Sequence, residues 1–329
     1  MRITNRMLAN NYLNDVNKNL RNLNKINKQL STGKEISRAS DNPFKTVRSM
    51  QLTTNLNTNT QYQSNIEDTD SWLDATDTAL AQLNNTLQRV RELMVSAGNA
   101  AYGSNESKTI NEEIKERVSE LGQILNSSFD GRYIFGGSKT TSKPVTSTDA
   151  SAGNVELNFI DKDGNKIDTE STDIYDYNQT GALSQKLSVE ISQGVSMEYN
   201  VTAMEILKFN NSKGEKINMM SLFNDIQANL ISGNSEDIKK ITGENMLAID
   251  AAIENVLKLR SEVGAKQNRM ESALSKNEDE CYNMTQVLSN TEDIDFTEKT
   301  IEYSMAQTTY TAALQVSAQV LPKTLLDYL

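Results

Sequence analysis

The chain has 329 residues, of which 37% are hydrophobic and only 6% aromatic, and its formal net charge is −11. That acidity makes nucleic acid and anionic membrane surfaces poor partners, because both reward clustered lysine and arginine. Histidine is absent and Cys281 is the sole cysteine, which excludes histidine-based catalysis, an internal disulfide and a thiolate metal cluster.

No run approaches the roughly 18 continuous apolar residues of a membrane span. The start, MRITNRMLANNYL, lacks the apolar core of a cleavable signal. Leu13, Val16, Leu20, Leu23 and Leu30 then step by three, four, three and seven, with Asn27 at the skipped position. This spacing predicts a helix with a narrow heptad seam, ending at Ser31-Thr32 with Gly33 as its C-cap. GKEISRASDNPFK, Gly33 to Lys45, reads as a loop, after which Asp41 or Asn42 can cap a helix that has Pro43 at its first position. Ile66, Leu73, Leu80, Leu83, Leu87, Val90, Met94 and Ala97 trace one seam, which breaks at Gly98 and a GSNES loop around Ser104. Ile110, Ile114, Val118, Leu121 and Leu125 form the next stripe, expected to fold back as a helical hairpin.

Beyond Asp130-Gly131, Tyr133-Ile134-Phe135 predicts a short strand closed by Gly136-Gly137. A Ser/Thr-rich linker through Pro144 leads to the alternating runs Val155-Leu157-Phe159 and Leu187-Val189-Ile191, with turns at Asp163-Gly164 and Gln193-Gly194. Residues 141–215 therefore read as a small inserted β domain. Helical periodicity resumes near Met219, and Val256, Val263, Met270, Leu274, Cys281, Met284 and Leu288 run straight into the segment from Glu292 to Leu329. There Tyr303, Tyr310, Leu314, Leu321 and Leu325 share one face, separated by small or polar residues. Threonines at 300, 308, 309 and 311 weaken the helix. Both end segments carry a narrow seam without a local partner, so the simplest arrangement pairs them with each other. The expected fold is mainly α, a long antiparallel helical-bundle rod with its N- and C-terminal helices paired and a β insert.

Chemical motifs are incomplete. Gly131 to Gly136 has the spacing of a phosphate loop, but Gly137 stands where lysine is needed. Asp161-Lys162-Asp163-Gly164-Asn165 opens like a calcium loop, yet Lys166 and Thr172 occupy the places that require glycine and glutamate, so a hairpin turn explains it better. The pairs Glu67-Asp68 and Asp293-Asp295 read as solvated helix surface, Cys281 as a small buried side chain and Trp72 as packing at the edge of the seam. No catalysis, cofactor or metal is expected.

Several stretches resemble one family, the flagellin-related axial proteins of the bacterial flagellum: MRITNRML, LSTGKEISRASDNP, FDGRYIFGG, VGAKQNRMESA and the ending from DIDFTEKTIEYSMAQ to LPKTLLDYL. The resemblance covers roughly residues 1–140 and 240–329 and leaves the β insert aside. The triplet Asp41-Asn42-Pro43 and the ending Thr324-Leu325-Leu326-Asp327-Tyr328-Leu329 are more like the members that join hook to filament than the filament flagellins, which stay as the alternative, with a cytoplasmic coiled-coil binding module as the competing class. The resemblance implies an inner domain of residues 1–42 and 290–329, a helical rod domain of 43–140 and 216–289, and an outer domain of 141–215. It implies a family loop at Gly33, Ser40, Asp41, Asn42 and Pro43, and assembly through Leu13, Val16, Leu20, Leu23, Leu30, Tyr303, Tyr310, Leu314, Leu321 and Leu325. Implied partners are neighbouring copies, an adjacent hook-associated junction protein, a distal junction protein or flagellin, and an export chaperone on the C-terminal helix; nucleic acid and membrane are not among them. The implied location is the extracellular flagellum, reached through the flagellar export apparatus without signal cleavage, with ends that fold on assembly.

Overall fold

The structure is a computed structural model that describes residues 5–98, 104–149, 154–161, 164–167, 181–211, 213–232 and 234–320. In chain order the helices are α1 (Asn5–Thr32), α2 (Pro43–Ala97), α3 (Ser104–Leu125), α4 (Gly181–Ser184), α5 (Ala203–Leu207), α6 (Met219–Ser232), α7 (Ser235–Lys240), α8 (Met246–Glu292) and α9 (Phe296–Val320). One π turn, Ile241–Asn245, joins α7 to α8. Among the described residues the strands make four antiparallel two-stranded ladders: β1 (Ser128–Phe129) with β2 (Arg132–Tyr133), β3 (Val145–Asp149) with β4 (Val155–Phe159), β5 (Ser188–Ser192) with β6 (Val195–Glu198), and β7 (Lys208–Asn210) with β8 (Lys216–Asn218). The described chain divides into two units, Gln61–Glu278 and the combination of Met1–Thr60 with Asp279–Leu329.

The first unit holds the hydrophobic core. Every seam residue expected between Ile66 and Ala97 on α2 is buried, as are Ile114, Val118, Leu121 and Leu125 on α3. Arg89 ties the two helices at the surface, its guanidinium reaching Glu113 at 2.8 Å. Leu222, Phe223, Ile226 and Leu230 enter the same core from α6, and Ile249, Val256, Val263 and Met270 from α8. Each side chain buried to this degree contributes about 1.5–3 kcal/mol, so the period-3.6 stripes dictate which faces turn inward. Trp72 is buried where α2 meets the first hairpin, in edge-on contact with Phe129 and Tyr199 at 6.1 and 6.0 Å between ring centres.

The strand expected at 133–135 is a hairpin displaced toward the N-terminus. Asp130 and Gly131 both have positive φ, 49° and 72°, the geometry of a two-residue turn that matches strand twist. The turn pairs Phe129 with Arg132 and Ser128 with Tyr133, and Ile134 and Phe135 follow in turns, still buried. The run Val155–Phe159 is a strand, and its edge is satisfied from α6. The Val155 N–H donates to Gln227 Oε1 at 2.9 Å, and Gln227 Nε2 donates back to the Val155 carbonyl at 3.0 Å. The segment after β4 closes as a turn, with Gly164 N–H on the Asp161 carbonyl at 3.0 Å; Asp163 lies outside the described residues. Gly194, at φ +72°, turns β5 into β6 as its sequence predicts.

Helix boundaries follow local chemistry. Gly33 closes α1 with φ +72° and an N–H bond of 2.8 Å to the Gln29 carbonyl. Asn42 Oδ1 accepts from the Lys45 N–H at 3.2 Å and starts α2, with Pro43 in its first turn. Asp41 instead stays within the loop, accepting from the Arg38 N–H at 3.0 Å. The GSNES segment departs from expectation, since α3 begins inside it at Ser104.

Candidate assembly interface

The second unit has a different construction. Among its described residues no hydrophobic side chain reaches the buried class, and only Gln29 does, at 5% exposure. Its framework is α1 packed against α9, with α2 and α8 contributing their ends. The pairing of the two chain ends expected from their seams is therefore present.

The faces that meet differ in part from the expected ones. On α1 the half-buried residues are Ala9, Tyr12, Val16, Asn19, Leu23, Ile26 and Leu30, an unbroken alternation of three and four. Val16, Leu23 and Leu30 thus lie on the inner face as expected, whereas Leu13 and Leu20 point to solvent, 56% and 39% exposed. On α9, Tyr303 and Tyr310 are half-buried together with Ala306 and Ala313, and Leu314 is exposed. Leu321 and Leu325 lie outside the described residues. The hydroxyl of Tyr12 donates to the Ala313 carbonyl. A second apolar stripe, Ile301, Met305 and Val316, runs along α9 at helical spacing and is exposed. Two helices with apolar residues on more than one face leave much of that surface wet when only paired with each other.

The loop containing Gly33, Ser40, Asp41, Asn42 and Pro43 sits at the root of this pair. α8 does not run straight into α9, because the chain breaks at 293–295. Asp295 Oδ1 accepts from Thr297 N–H at 2.8 Å and Glu298 N–H at 3.2 Å, capping α9. The two breaks are laced by main chain: Glu35 N–H donates to the Glu292 carbonyl at 2.5 Å and Ile294 N–H to the Gly33 carbonyl at 3.1 Å, around an antiparallel bridge between Lys34 and Asp293. Side chains converge on the same place. The Glu292 carboxylate accepts from the Lys34 ammonium and from Ser49 Oγ at 2.6 Å. Gln29 Nε2 donates to the Glu35 carbonyl at 2.6 Å, and Lys45 pairs with the Glu35 carboxylate at 2.6 Å. Partial burial works against ionisation of Glu292, but the bonds from Lys34 and Ser49 prevail and hold its carboxyl below the usual range. Gly33 and the loop Asn42 are in the joint or beside it; Ser40 is exposed. Gln29, Glu35, Ser49 and Glu292 carry no local sequence signal for this role. The capping pattern Asp295-Phe-Thr-Glu298 does announce the break before α9.

Among the described residues no group of histidine, cysteine, aspartate or glutamate side chains is arranged to hold a metal, and no helix is long and apolar enough to cross a membrane. Cys281 is half-buried on α8.

Comparison with known proteins places this architecture. Residues 3–140 match the model of the bacterial flagellin N-terminal helical region, and residues 246–329 that of the bacterial flagellin C-terminal helical region. A flagellin of Clostridium tyrobutyricum is 26% identical, the alignment covering 97% of this chain and 100% of that protein. Phase 1 flagellin of Salmonella naestved is 31% identical over 45% of this chain; the match spans only 30% of that longer protein. Among solved structures, the flagellar hook associated protein-3 of Legionella pneumophila superposes with a TM-score of 0.58 at 17% identity, covering 73% of this chain and 98% of that one. The chain belongs to the flagellin family and is a component of the bacterial flagellum.

Proposed function

We propose that the protein is a structural subunit, without enzymatic activity, that adapts the flagellar hook to the filament. The observation that carries this reading is the end unit, in which no described apolar residue is buried while Leu13, Leu20, Ile301, Met305, Leu314 and Val316 face outward. Such a unit gains its stability from neighbours that cover those faces, the thermodynamics of folding coupled to association. Each of these half-covered leucines, once covered on assembly, contributes about 1 kcal/mol, offsetting the ordering of the ends. The assembly surface then comprises the ten seam positions Leu13 to Leu30 and Tyr303 to Leu325. Residues 1–42 with 290–329 act as the inner domain, 43–140 with 216–289 as the middle and 141–215 as the outer domain.

The junction role is supported by the likeness in fold to hook associated protein-3 and by the Asp41-Asn42-Pro43 triplet and chain ending. Neighbouring copies, an adjacent hook-associated protein and a distal junction protein or flagellin are then the partners. An export chaperone covers the C-terminal stripe before secretion through the flagellar export apparatus. A second reading, a filament subunit, is favoured by the near full-length alignment with a Clostridium flagellin. Purified protein added to isolated hook fragments separates them under electron microscopy. Capping of hook ends without extension is expected; long filaments would transfer the protein to the filament.

A further inference from the structure

Within the 61–278 unit, α8 carries two surfaces of opposite sign. Between α2 and α8 runs a groove lined by Glu67, Asp70, Asp74 and Glu271, with no lysine or arginine in its lining. Gln267 donates to Asp74 at 2.6 Å and Gln63 to Glu67 at 3.2 Å; these neutral partners leave the charges uncompensated. Burial, and the nearby Asp74 and Glu271, push the Asp70 carboxyl above its ordinary range, as befits a carboxylate short of cations.

On another side of α8 a cleft beside the β5–β6 hairpin presents Lys266 and Arg269 together with the hydroxyls of Ser188 and Ser196 and one carboxylate, Glu198. Neither cation forms an ion pair among the described residues. Of the carboxylates that act on Lys266 at longer range, Glu205 already holds Lys186 at 2.5 Å and Glu262 faces Lys258 at 4.0 Å. At about 100° per residue, the mean direction of Lys266 and Arg269 is about 150° from that of Gln267 and Glu271 around the helix axis. The cleft therefore cannot meet the groove of its own copy. A second copy offers both.

We propose that the Lys266–Arg269 cleft of one copy docks into the Glu67–Asp70–Glu271 groove of the next, a head-to-tail contact of the kind that generates rings or helical arrays. This rests on the reading of the chain as a self-assembling flagellar subunit and specifies which surfaces join its copies. In a chain of net charge −11, most approaches between copies are repulsive, so one cationic cleft also selects the orientation of encounter.

The test uses the full chain added to isolated hook fragments, with bound protein measured by co-sedimentation. Two variants reverse one surface each: Lys266→Glu with Arg269→Glu, and Glu67→Lys with Glu271→Lys. Fluorescence of Trp72, the only tryptophan, verifies that each is folded. Each variant by itself is expected to bind at least about tenfold less than wild type, while an equimolar mixture of the two, or one chain carrying all four changes, regains binding to within about twofold. Wild-type binding by the separate variants, or failure of both the mixture and the fourfold variant to recover, overturns the contact while leaving the assembly reading intact. Failure of the wild-type chain to bind hooks overturns that reading and the contact with it.

Discussion

Glu35 and Glu292 are joined through their backbones, the amide of the first donating to the carbonyl of the second at 2.5 Å, while the Glu292 side chain reaches Lys34 and Ser49. Two breaks in helix, 257 positions apart in sequence at these residues, are thus fastened at one point. The geometry makes the joint sensitive to protonation of a single carboxyl. Because the folded pKa of Glu292 is depressed, its contribution is fully present above the ordinary carboxylate value of about 4.3 and is lost as pH falls through the lower folded value. Hydrogen exchange at the Glu35 and Ile294 amides, corrected for intrinsic rates, should show protection falling in that acid window. Glu292→Gln should lower protection at neutral pH by about fivefold, equivalent to about 1 kcal/mol given a half-exposed Lys34, and should flatten the acid transition. Unchanged protection in the variant would assign the joint to the backbone bonds alone.

The outward leucines make a separate prediction. Leu20→Asp with Leu314→Asp places charge on side chains that are exposed in the isolated chain, so the thermal transition reported by Trp72 should shift by no more than about 0.5 kcal/mol equivalent. Capping of hooks should nonetheless be abolished. A collapse of the Trp72 transition would mean that the end unit belongs to the main core.

Two glycines should respond very differently to alanine. A Cβ at Gly137, which has φ +63°, would lie 2.5 Å from the Ala182 carbonyl oxygen and 2.7 Å from that of Leu183. Strain and backbone collision together should cost about 3 kcal/mol or more. Gly131 shares the positive φ but has nothing within 4 Å of the same position, so Gly131→Ala should cost only about 1 kcal/mol. Chemical denaturation with Trp72 emission as the probe ranks them, and equal losses would refute the steric account.

Gln227→Leu preserves approximate volume but strips both bonds from the main chain of Val155. Two half-buried backbone groups left unpaired should cost about 1–2 kcal/mol, seen as a lower denaturant midpoint. Gln227→Glu should remain destabilising at neutral pH, since it keeps an acceptor but loses the donor. A neutral outcome for Gln227→Leu would show that water replaces the amide there.

The legible parts of the sequence were those where burial is one-sided and deep. Ile66 to Ala97 lie within a large core, so polarity and period agree, and the same holds for Ile114 to Leu125 and for Val256, Val263 and Met270. On α1 and α9 that agreement fails, because apolar residues occupy more than one face. Leu13 and Leu20 outrank Tyr12 and Asn19 in hydrophobicity, so a seam traced by leucine falls one position away from the inward face. The hairpin at Asp130-Gly131 carried its signal in the dipeptide itself, but the aromatic run after it drew the strand too far along the chain. The contacts of Glu292 with Lys34 and Ser49, and the cap by Asp295, differ in kind: the cap is local and readable, whereas the contacts join residues 258 and 243 positions apart and leave no periodic trace.

The lacing of Gly33, Glu35, Glu292 and Ile294 is made of peptide groups, and peptide groups are the same in almost every residue. Evolutionary drift at Lys34, Glu35, Asp293 or Ile294 can therefore recolour the surface around the joint without erasing its two rungs, provided that proline does not remove a donor. Gly33 is the fixed letter in that otherwise permissive spelling, because its left-handed turn aims the carbonyl at Ile294.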